Sequence, residues 1–138
     1  MRILSIIALL GMSASGSASE CETNFGKSGS AFSGTNFSSF VTVADLDAAN
    51  ALGQMRGILI AEKMDVLTED AETGTLLAEQ RATGATRAIP TIVTVSAEGA
   101  DARVEMLVKT AKGMIAKAEN IRSYMCELLA KMKGGDEG

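Results

Sequence analysis

Apolar residues recur along this chain in three rhythms. Arg2 precedes an apolar run, Ile3 to Leu10, and small residues follow as far as Ser17-Ala18-Ser19, the build of a secretory leader removed near Ser19 or Glu20. A helical rhythm comes next: Asp45 is placed to cap a helix whose apolar positions Ala48, Leu52, Met55 and Leu59 step by four, three and four. The period then shortens to two. Met64 to Thr68 and Thr75 to Gln80 read as strands joined by the acidic turn Glu69 to Gly74. Thr91 to Ala97, opened by Pro90, and Arg103 to Lys109 read as a second hairpin about Glu98 to Asp101. Val93 and Val95 alternate with threonine and serine, and Val104, Met106 and Val108 with Arg103, Glu105 and Lys109, so each strand has one apolar face. The helical rhythm returns in Met114, Ala118, Ile121, Met125, Leu128 and Met132, and Gly134-Gly135 stop it.

These rhythms predict an α+β fold in the order helix, four strands, helix: a four-stranded antiparallel sheet, wet on one face, with two helices packed on the other. The apolar positions named above form its expected core. Residues 40–133 are the single domain, 1–19 the leader, 20–39 a tail and 134–138 an acidic end. Val41 to Val43 is strand-like but short. The stretch before it, Glu22 to Ser39, is rich in glycine, serine and asparagine, yet it carries Phe25, Phe32 and Phe37, with Phe40 at its end. A flexible linker rarely spends aromatics in this way. Two readings stand side by side: a segment that binds a partner or its own kind through Phe25, Phe32 and Phe37, and a tail whose rings pack on the sheet of its own domain.

In Met64 to Gln80, MDVLTEDAETGTLLAEQ, a strand, an acidic turn closing on Gly74 and a second strand follow one helix and precede two strands and a long helix. In that order residues 40–132 resemble the small helix-grip domains of bacterial envelope proteins. Those include uncharacterised periplasmic domains and the lipoprotein accessory subunit of the outer-membrane barrel assembly machinery. The resemblance implies a helix-grip fold, an envelope location and a binding or scaffolding role, and it brings no catalytic residues. The Phe-bearing segment and the cysteine pair fall outside that pattern.

Composition narrows the chemistry. In an exported chain, Cys21 just beyond the leader and Cys126 in the last helix are most simply a disulfide, stapling the N-terminal segment to that helix. A domain of roughly 90 residues buries a modest share of its surface and gains from such a tie. Glu20 before Cys21 disfavours lipid attachment there, and the chain has no C-x-x-C motif for redox catalysis. The formal net charge is −4 with basic residues dispersed among acids, which argues against nucleic acid as a partner. Beyond the leader no apolar stretch approaches the roughly 20 residues needed to cross a bilayer as a helix. There is no histidine, so the usual general base and the commonest zinc ligand are missing. Gly26-Lys27-Ser28 lacks the first glycine and the preceding strand of a phosphate loop, and Asp70, Glu72 and Gly74 have only part of a calcium loop's spacing. No cofactor, no metal and no enzymatic activity are expected.

Recognition is left. The loop Arg81 to Ile89 carries Arg81 and Arg87 and reads either as a plain solvated loop or as a site for an anionic group or a partner's carboxylates. The methionines, among them Met55, Met64 and Met132, read as a gap-filled core or as the lining of a plastic apolar groove. The expected function is a non-catalytic binding or scaffolding module of the bacterial cell envelope, periplasmic or secreted. An envelope protein would be its partner, met through Arg81, Arg87, Phe25, Phe32 and Phe37. The alternative is a carrier of a small apolar ligand, held by Met106, Met114 and Met125 between the C-terminal helix and the sheet.

Overall fold

The computed structural model describes residues 16–81, 88–114 and 116–135, which build an antiparallel sheet covered on one face by helices. In chain order the elements are α1 (Gly16–Asn24), β1 (Gly26–Ser30), β2 (Gly34–Val43), α2 (Ala48–Ala61), β3 (Asp65–Asp70), β4 (Thr75–Gln80), β5 (Ile89–Glu98), β6 (Asp101–Thr110) and α3 (Ala118–Leu129). Across the sheet the strands lie in the order β1-β2-β6-β5-β4-β3. α2 thus carries the chain from β2 over the covered face to the far edge, and β3 to β6 return as a meander until β6 pairs with β2.

The α+β class and the antiparallel sheet agree with the sequence reading, but among the described residues the sheet has six strands rather than four, and there are three helices rather than two. The additional strands come from the stretch read as a tail. In β2 the inward positions are Thr35, Phe37, Ser39, Val41 and Val43, so the period-two alternation exists with small hydroxyl residues at two of its buried sites. That weak contrast hides the strand. β1, with the sequence GKSGS, has no apolar side chain at all and is a strand because the edge of β2 offers it hydrogen bonds.

All the buried strand side chains share one face. Leu76 lies opposite Val93, Val93 opposite Met106, Val95 opposite Val104, and Val108 opposite Phe37. Ala51, Leu52, Met55 and Leu59 of α2 and Met125, Leu128 and Leu129 of α3 close onto that face in the same core. α2 is capped by Asp47 rather than Asp45: the Asp47 carboxylate accepts the Asn50 N–H at 2.7 Å. Asp45 sits in the left-handed region, at φ 58°, and donates its N–H to Asp101 at 2.9 Å, tying β2 to the β5–β6 turn.

α3 is shorter than the apolar stripe Met114 to Met132. Gly113 turns the chain at φ 85°, and Lys117 is extended, so the helix starts only at Ala118. Met132 is buried beyond its end, where Gln54 of α2 clamps the chain: its amide donates to the Lys133 carbonyl at 2.7 Å and accepts the Lys133 N–H at 2.9 Å.

Candidate functional site

The chain's two cysteines meet at the edge of the sheet. β2 pairs with β1 only as far as Ser38, and the rest of its outer edge would be open backbone. α1 covers it. Glu20 accepts the Thr42 N–H at 3.1 Å, and the Asn24 amide donates to the Phe40 carbonyl at 3.0 Å. Between them Cys21 is buried and disulfide-bonded to Cys126 of α3, with 5.5 Å between the Cα atoms. The buried Ser39 hydroxyl donates to the Cys21 carbonyl. Phe25, the residue after α1, stacks on Phe37 with 6.1 Å between ring centroids.

The three phenylalanines named from the sequence are therefore divided. Phe37 lies in the core and Phe25 packs against it, whereas Phe32 stands at the β1–β2 turn with 89 % of its surface exposed. Arg81 forks onto Asp65, with Nε and Nη2 both 3.0 Å from carboxylate oxygens. The hydrogen bond from Arg81 holds the Asp65 carboxyl below its ordinary range, and the same bond raises Arg81. Arg81 is thus already engaged within its own chain. Arg87, with residues 82–87, lies outside the described residues. Of the methionines named for an apolar ligand, Met106 and Met125 are fully buried members of the core, and Met114 is half-buried in the segment between β6 and α3.

The face of the sheet away from the helices carries a feature that sequence reasoning passed over. Leu77, Ile92 and Leu107 point outward and lie directly opposite one another on β4, β5 and β6, all half-buried. Glu105, Thr94 and Thr75 form the row on one side, and Glu79 and Pro90 border the other. On β2 the Phe40 ring lies under the Arg103 guanidinium at 3.6 Å. The signal was present as doublets: Leu76-Leu77, Ile92-Val93 and Met106-Leu107 break the alternation with two successive apolar residues, which demands a strand apolar on both faces there.

Among the described residues, no group of three or more histidine, cysteine, aspartate or glutamate side chains is placed to hold a metal ion. Asp70 instead closes its own turn, accepting the Glu72 and Thr73 N–H groups at 3.0 and 3.3 Å. No described helix is long and apolar enough to cross a membrane. Compared with known proteins, the chain matches no family model and no curated sequence.

Proposed function

We propose that this chain is an exported, non-catalytic binding or scaffolding module of a bacterial cell envelope, periplasmic or secreted. The observation that carries the reading is the buried Cys21–Cys126 bond, which spans 105 residues and lies immediately beyond the leader-like segment. A crosslink of that kind forms and persists in an oxidising compartment. The expected cut near Ser19 or Glu20 falls within α1 and keeps Glu20, Cys21 and Asn24, which hold the β2 edge, in the mature chain. The helix, four-strand, helix order from α2 to α3 supports the likeness to helix-grip domains. To a partner the module offers the outward row Leu77, Ile92 and Leu107 with its polar borders, a surface suited to recognition.

The full chain, expressed in a bacterium and fractionated, tests this by intact mass, thiol labelling and in-cell crosslinking. We expect a periplasmic or secreted product lacking the leader and without reactive thiols, and a photo-crosslinker at position 92 that captures a partner of defined mass. A product with Met1 retained and two labelled cysteines defeats the export reading. Failure to crosslink from position 92 in the exported protein defeats the recognition reading.

A further inference from the structure

Phe32 is the most exposed large apolar side chain among the described residues, and it is not on a loose end. It occupies the tip of the β1–β2 hairpin, where the Ser30 hydroxyl accepts the Phe32 N–H at 3.2 Å and the Ser33 N–H at 3.4 Å. The Gly113 N–H donates to the Ala31 carbonyl at 2.7 Å, which moors the tip to the segment after β6. A rigid turn therefore holds a phenyl ring out into water, at a solvation cost that an apolar or interfacial environment would remove.

The charge around that tip differs in sign from the molecule as a whole. The register places Lys27 opposite Phe37 and Lys109 opposite Asn36, each within a few residues of the turn on the two strands flanking β2. Lys117 follows in the segment that the tip is moored to, and Lys27, Lys109 and Lys117 are all exposed. On the strands at this end the carboxylates are Glu79 on β4 and Asp65 on β3, three and four strands across from β2, Asp65 paired with Arg81; Glu119, in the first turn of α3, follows Lys117 by two residues. Asp45, Asp47, Asp70, Glu72, Glu98 and Asp101 lie at the opposite end, in the turns after β2, β3 and β5. In a chain of net charge −4, the strands next to the Phe32 tip therefore carry lysines, and the turns at their other ends carry most of the sheet's carboxylates.

We infer that the β1–β2 tip docks on an anionic lipid bilayer, with Phe32 entering the interface and the surrounding lysines meeting lipid headgroups. An apolar wedge ringed by lysines has the two ingredients of interfacial binding, apolar burial and attraction to negative headgroups, and the acidic end turns away from the surface. The inference rests on the envelope reading for access to a membrane. Its test uses purified protein and vesicles, so either can fail without the other.

The chain has no tryptophan, which makes Phe32→Trp a single-site reporter in the form of the protein recovered after export. Its emission is expected to shift to the blue with phosphatidylglycerol-containing vesicles and to stay unshifted with pure phosphatidylcholine. In sedimentation, Phe32→Ser should partition about tenfold more weakly than the parent. Lys27→Gln and Lys109→Gln should each cost roughly fivefold, and added salt should weaken binding further. Comparing each variant with its parent cancels any contribution shared by both. Unshifted emission from the Phe32→Trp variant at saturating anionic lipid, equal partition of Phe32→Ser and parent, or equal binding to pure phosphatidylcholine would each overturn the inference.

Discussion

Ser39 shows how much of this fold depends on single polar atoms. Its hydroxyl is buried under α1 and donates to the Cys21 carbonyl, so truncation leaves that carbonyl without this donor in a buried site. Ser39→Ala should destabilise the protein by about 1–3 kcal/mol, read as a shift in urea midpoint at unchanged slope. Tyr124 makes a different single-residue prediction. Burial, and then the carboxylates of Glu62 and Glu127, push its phenol above the ordinary 10.0, so the folded chain keeps a proton that the unfolded chain has already lost. The linkage sign follows. Stability owed to this group is level below about pH 10 and falls as pH rises from the unfolded toward the folded value. Tyr124→Phe should flatten that alkaline fall relative to the parent in denaturation midpoints taken across the range. Asp65 has the opposite sign, its stabilisation fading as acid protonates it, but its exposed pairing with Arg81 makes the effect small.

Elements differ in how plainly the sequence announces them. α2, β4, β5 and β6 were legible because apolar residues mark their inward positions, and β3, which buries no side chain, because an acidic turn closing on Gly74 joins it to β4. α1, β1 and the first part of β2 were not. Their inward side chains include hydroxyls, and what fixes them is long-range: a partner edge, a disulfide and the side chains of Glu20 and Asn24. The cysteine pairing was legible from the leader-like segment and a count of two cysteines, whereas the separation of Phe32 from Phe25 and Phe37 required the register of the hairpin. Gly74 is a sharp constraint at the level of the element. At φ 71° it accepts the Val95 N–H at 2.7 Å, and a Cβ there would stand 2.3 Å from the Val95 carbonyl oxygen. Gly74→Ala must distort the β3–β4 turn and its junction with β5, at a cost on the order of 2 kcal/mol or more. A lowered thermal midpoint, with amide-exchange protection lost first in residues 70–76, would check it.

For the molecule as a whole the disulfide is a contribution that can be switched. Closing a loop of about 100 residues removes on the order of 4.7 kcal/mol of unfolded-state entropy by the chain-entropy argument. The paired change Cys21→Ser with Cys126→Ser should therefore lower stability by several kcal/mol, measured against the oxidised parent in denaturant. The loss should fall most heavily on α1 and the β2 edge, since Cys21 also anchors Glu20 and Asn24 there. The same bond has a mechanical meaning. Because Cys21 and Cys126 lie 105 residues apart near the two ends of the described fold, tension applied through those ends runs across the sulfur bridge. All six strands and α2 hang inside that bypass, so a pull through the two ends is carried by the sulfur bridge without the sheet being opened.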